Sequence, residues 1–132
     1  SLSYDNIMRA GFPVDDTNTP IAALKSQILA LCRRKGWGDE RGVQNPQHVA
    51  MAMTVEMSEL LEHFQWLNPG DVDRLLAGGD PDRVEMIAEE FADVMMYGLQ
   101  LADALNIDVT EQILRKIDIV DRRGPRPDEP RR

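Results

Sequence analysis

The sequence predicts an all-α fold, an antiparallel bundle of four main helices. Three observations carry that prediction. Apolar residues recur at spacings of three and four along several long stretches, and no run of comparable strength shows the period of two that a strand requires. Residue pairs that can cap a helix and open it with proline, Thr19-Pro20, Asn45-Pro46 and Asp80-Pro81, stand at the head of three of those stretches. Aromatic residues make up only 5% of the chain while Met and Leu are frequent, a composition suited to helix packing.

Residues 1–18 contain Gly11, Pro13 and the cluster Asp15 to Asn18, and are expected to form an irregular arm. A helix is expected from about Pro20 to Lys35, with Ile21, Leu24, Ile28 and Leu31 as its apolar stripe, ended by Gly36 and Gly38. A loop carrying Trp37 then reaches Asn45. The next helix is expected to reach about Leu67, with a stripe of Met53, Met57, Leu60, Phe64 and Leu67, and Asn68-Pro69-Gly70 stops it. Asp71 to Ala77 is expected to be a short helix, broken by Gly78-Gly79. A long helix follows from Asp80-Pro81 to about Leu105, with Val84, Ile87, Phe91, Val94, Met95, Gly98, Leu101, Ala102 and Leu105 on its stripe. Val109 to about Arg122 forms the last helix. The domain thus spans 19–123, and the proline- and charge-rich tail 124–132 is expected to be disordered. The two longest helices are each expected to exceed 20 residues, so their outer ends call for a partner chain.

Composition bounds the function. At 132 residues the chain fits one domain with enough core to fold unaided. A single cysteine, Cys32, excludes an internal disulfide framework and fits a reducing cytoplasm. A net charge of −8 argues against nonspecific binding of nucleic acid, which relies on a basic surface. No stretch approaches the ~18 uninterrupted apolar residues of a membrane span, and no signal-peptide pattern is visible. A cytoplasmic protein without membrane or nucleic-acid partners is expected.

The most informative chemistry lies in four carboxylates. Glu56 and Glu59 are three apart on one helix, and Glu90 and Asp93 are three apart on another. Residues at that spacing share a helix face, and both pairs phase to the edge of an apolar stripe. If the helices pack together, four carboxylates converge. Like charges at about 6 Å with an effective dielectric of ~20 repel by roughly 3 kcal/mol per pair. Solvation, partial protonation or a hard divalent cation makes such a cluster tolerable. Such spacing also recurs on solvated faces of acidic helical proteins, so the spacing alone leaves both readings open. An oxygen-only donor set suits Mg²⁺, with Mn²⁺ as a possible substitute, rather than zinc.

The words around the carboxylates narrow this choice. A GW before the loop, NPQHVAMAM entering the helix, ELLEHFQW closing it and EEFADVMMY on the next resemble the MazG-like all-α nucleoside triphosphate pyrophosphohydrolases, in particular the short dCTPase-like branch. The resemblance covers about two thirds of the chain, more weakly at KIDIVDRR. It implies that Glu56, Glu59, Glu90 and Asp93 hold Mg²⁺ on a triphosphate, which is cleaved to a monophosphate and pyrophosphate in nucleotide-pool house-cleaning. Glu59, or else Glu56, would accept the proton of the attacking water. Trp37, Trp66 and Tyr97 match aromatic positions of the nucleotide pocket, and Lys116 and Arg123 match basic positions that could meet phosphate oxygens. The family's assembly into homodimers or homotetramers is implied as well.

Some positions depart from the pattern. The connection between Glu59 and Glu90 and the loop before His48 are both slightly long, and Val120 stands where an Asn is common. Two other readings are weighed against the enzyme. A di-iron or di-manganese bundle usually needs Glu-x-x-His pairs, and neither His48 nor His63 has a Glu three residues before it. A noncatalytic interaction or regulatory module would keep the bundle without the chemistry. The preferred base is left open.

Overall fold

The computed structural model describes residues 14–124. Within them the chain is helical throughout, as the sequence predicts. The helices are α1 (Ile21–Lys35), α2 (Pro46–Glu62), α3 (Pro69–Leu76), α4 (Pro81–Ala104) and α5 (Val109–Arg122). The described part of the N-terminal arm is a turn in which Asp15 Oδ1 accepts from Thr17 N at 2.9 Å. Most of the expected arm and nearly all of the tail lie outside the described residues.

The helix starts share one chemistry. Asn45, Asn68, Asp80 and Asp108 each cap a helix by accepting from a backbone N–H of its first turn, satisfying one of the donors a helix start leaves unpaired. Three of these caps precede a proline. Asn68 and Asp71 form a reciprocal capping box, at 2.8 and 3.0 Å. Asn68-Pro69 therefore starts α3 as well as stopping what precedes it, so α3 begins two residues before the expected Asp71.

Two boundaries differ from expectation. Thr19 makes no cap, and the extended Pro20 takes that place without a side-chain bond. Helix α2 ends at Glu62 rather than Leu67, because His63 N and Phe64 N shift to i–3 bonds, to Leu60 O and Leu61 O at 3.2 and 2.9 Å. Consequently α2 has 17 residues, and α4, at 24, is the one helix beyond 20 among the described residues.

Helix α4 is the central element. The end of α2 meets the start of α4, where Arg83 Nη1 donates to His63 O at 3.4 Å. The residue before α2 meets the far part of α4, where Gln44 Nε2 donates to Gln100 Oε1 at 2.7 Å. The two helices are therefore antiparallel. Helix α1 also runs against α4: Lys25 Nζ, near its start, donates to Ile107 O beyond α4 at 2.7 Å, and Ile28 and Cys32 pack on Leu99. Val49, Val94 and Ala102 complete the small buried core.

Helix α5 does not close this bundle within one chain. Every residue from Thr110 to Gly124 is exposed, including Ile113, Leu114, Ile117 and Val120. Met57, Phe64, Phe91 and Met95 of the expected core stripes are exposed too.

Candidate functional site

The antiparallel register of α2 and α4 sets Glu56 opposite Glu90 and Asp93. Each of these three offers a carboxylate oxygen, and the three oxygens lie within 4.8 Å of one another. Glu56 and Glu90 are half-buried, and Oε2 of each is out of water with no hydrogen-bond partner. Unpaired buried carboxylate oxygen is costly, and native folds rarely leave it so without a use.

The electrostatics follow the same pattern. Burial, with a shared hydrogen bond to Glu59 and the charges of Glu59, Asp93 and Glu90, holds Glu56 above the usual carboxylate range. Burial and the charges of Glu59 and Asp93 push Glu90 up as well, opposed by nearby His63. Glu59 stands outside the three-oxygen group but beside it, and its own side chain is exposed. The two expected pairs are thus brought together, with Glu59 against Glu56 and Glu90 at the edge of the three-oxygen group.

A cavity of about 360 Å³ opens beside Glu56 and Asp93. Trp37 and Tyr97 line it, as do Leu31, Met96, Gln44 and Gln100. The loop from Gly36 to Asn45 places Trp37 and Gln44 there. Asp39 Oδ1 accepts from Arg41 N and Val43 N at 2.8 and 2.9 Å, and the bond from Val43 leads the causes that hold Asp39 below its ordinary range. Gly42, at φ 81°, lets this loop lie against α1: a Cβ there would meet Leu29 O at 2.7 Å. No other residue type fits that approach without a shift of backbone.

The remaining expected residues do not line this cavity. Trp66 is 85% exposed on the turn after α2. Lys116 sits on the outer face of α5 among Ile113, Ile117 and Val120, and Arg123 follows that helix into solvent. Within one chain, α5 does not carry either cation to the carboxylates. His48 is exposed, whereas His63 is half-buried near Glu90.

Gln44 and Gln100 were not among the expected site residues. For Gln100 a signal existed: Glu90, Asp93, Tyr97 and Gln100 follow at three, four and three residues, on one helical face. Gln44 lies in a loop and offered no such phase.

The MazG-like family model matches residues 51–130. Human dCTP pyrophosphatase 1 is 34% identical over 117 residues, covering 89% of this chain and 64% of its own length. The cattle and mouse proteins of the same name are 31% and 29% identical over 80 residues, 61% of this chain and 46% of theirs. The chain therefore spans less than two thirds of the length of the curated relatives it matches.

Proposed function

The chain belongs to the MazG-like family, and from that premise we propose that it is a Mg²⁺-dependent nucleoside triphosphate pyrophosphohydrolase that cleaves a (d)NTP to its monophosphate and pyrophosphate. The observation that carries this reading is the pair of buried, unpartnered oxygens of Glu56 and Glu90, within reach of Asp93. All-oxygen donors of like charge, withdrawn from water, fit a hard divalent cation. Glu56, Glu90 and Asp93 would hold it, with Glu59 at the edge. When bound, the cation offsets phosphate charge and assists the attacking water.

The protein's own groups supply the remainder. Glu59, exposed at the cluster's rim, accepts the proton of the attacking water, since Glu56 would be engaged in holding the cation. Trp37 and Tyr97 give the base a stacking face, worth about 1–3 kcal/mol per base in comparable contacts. Trp66, Lys116 and Arg123 reach a nucleotide only in an assembly in which another chain completes the pocket. The bare apolar face of α5 and the exposed Met57, Phe91 and Met95 support a homodimer or homotetramer. Action in nucleotide-pool house-cleaning in the cytoplasm agrees with Cys32, a free thiol only 1% exposed. Among the described residues no helix is long and apolar enough to cross a membrane.

The noncatalytic alternative is not favoured, since it gives the buried oxygens no role. The deciding experiment incubates the purified chain with canonical and modified (d)NTPs, with and without Mg²⁺, and assays pyrophosphate and orthophosphate separately. The names of the relatives make dCTP the first substrate to try. Mg²⁺-dependent release of pyrophosphate is expected; an inert chain across the whole panel overturns the reading.

A further inference from the structure

The cavity has a second polar feature, at the end away from the carboxylates. Gln44 and Gln100 come from the loop before α2 and the late part of α4, and both are half-buried. Gln44 Nε2 donates to Gln100 Oε1 at 2.7 Å and lies 3.8 Å from the buried Sγ of Cys32. These contacts occupy the amide nitrogen of one residue and the amide oxygen of the other. Gln44 Oε1, an acceptor, and Gln100 Nε2, a donor, have no partner among the described residues. Their surroundings are Leu31 and Met96 on the walls and the aromatic rings of Trp37 and Tyr97.

Leu or Met would fill such a position with no polar group to satisfy. Two amides locked to each other hold one free acceptor and one free donor in a fixed relation, with little conformational freedom left to lose on binding. The Watson–Crick edge of a nucleobase offers the complement, a donor beside an acceptor. An aromatic face nearby would hold such a base while its edge is read. Phosphate has no donor to offer at neutral pH, so the pair suits the base and not the triphosphate.

We propose that the Gln44–Gln100 amide pair is the specificity-determining element of this site and reads the hydrogen-bonding edge of the nucleobase. The proposal rests on the pyrophosphohydrolase reading above and adds the part of the substrate that the carboxylates do not touch. Cys32 supports Gln44 from beneath, and Asp39 fixes the loop that carries it. Neither residue meets the base.

The test measures kcat/KM for the wild type, Gln100→Met and Gln44→Met, with Gln100→Glu as the shape-preserving third variant. Substrates are the four common dNTPs and a dNTP carrying an apolar base surrogate without a hydrogen-bonding edge. The wild type is expected to favour at least one natural base over the surrogate. Each variant is expected to lower kcat/KM for the favoured base by about 10- to 100-fold, the usual effect of orphaning a buried hydrogen-bonding group. For the two Met variants, which add no charge, turnover of the surrogate and the Mg²⁺-induced rise in Tm are expected to stay within error. A parallel loss on every substrate assigns the glutamines to packing and overturns the proposal, as does an unchanged preference. If the variants discriminate as the wild type does while hydrolysis persists, the amide reading fails and the enzyme reading stands. If the wild type hydrolyses nothing, the enzyme reading falls first and takes this one with it.

Discussion

The seam between α2 and α4 and the outer face of α5 are opposite departures from ordinary burial. The seam withdraws oxygens of Glu56 and Glu90 from water without giving them a hydrogen bond. Helix α5 leaves Ile113, Leu114, Ile117 and Val120 each more than half exposed. Folded chains bury hydrocarbon and solvate charge, so each region is incomplete in its own way. A cation would complete the first, and an apolar surface the second. The difference teaches that the partners each region calls for are different in kind: on the proposed reading the seam should answer to a small ion and to pH, and α5 to protein concentration.

The largest effect separates the carboxylates from one another. Glu59→Gln is expected to lower kcat by about 10²- to 10⁴-fold, the usual contribution of a general base, while Mg²⁺ still raises Tm. Asp93→Asn is expected to abolish both turnover and the Mg²⁺ response. Identical Tm responses in the two variants would erase the distinction between proton acceptor and cation ligand drawn from the place of Glu59 outside the three-oxygen group.

The second break falls on α5. Ile117→Glu places a charge in the middle of its apolar face and is expected to shift the protein to monomers, read as a drop in molar mass by light scattering. Activity should fall with assembly and return in neither high Mg²⁺ nor excess substrate. A wild type that is monomeric at tens of micromolar would remove α5 as an interface.

The seam also predicts a dependence on pH, whose sign is opposite to that of a salt-bridged carboxylate. Burial and like charges raise Glu56 and Glu90 above their unfolded values. Their favourable contribution is therefore present below the unfolded values and lost as pH rises through the raised folded ones. In the absence of divalent cations, Tm should fall as pH increases from the ordinary carboxylate range towards neutrality. Mg²⁺ at ~100 times its dissociation constant should add about 2.7 kcal/mol at neutral pH, and much less in acid. Glu90→Gln removes one of the repelling charges, so it should raise Tm without Mg²⁺ and weaken the gain from Mg²⁺. A Tm that climbs from acid to neutral pH without cation would sink this account of the seam.

Much of this contrast was legible in the sequence because helix phasing is local. Three-residue spacing put Glu56 with Glu59 and Glu90 with Asp93, and the apolar stripes placed both pairs at a core boundary. What phasing does not contain is the register between helices, which decides that Glu56 meets Glu90 and Asp93 in one group while Glu59 borders it. Nor does it contain depth: Phe91 and Met57 lie on good stripes yet remain exposed in the single chain. Asn68-Pro69 shows a different limit. A cap-and-proline pair that ends one segment also opens the next, and α3 begins there rather than at Asp71.

That cap supplies the smallest effect and the control for the others. Asn68→Ala removes the Oδ1 that accepts from Asp71 N at 2.8 Å, away from both the seam and α5. Losing such a cap costs about 1 kcal/mol, or roughly 4 °C in Tm for a domain of this size. The loss should be the same at acid and neutral pH, since an Asn side chain carries no charge. It should also be the same with and without Mg²⁺, and kcat should not change. An Asn68→Ala protein that lost its Mg²⁺ response would mean that α3 helps to hold the carboxylates in register through its contact with α4. The seam would then depend on the whole α2–α4 connection and not on the phasing of two helices alone.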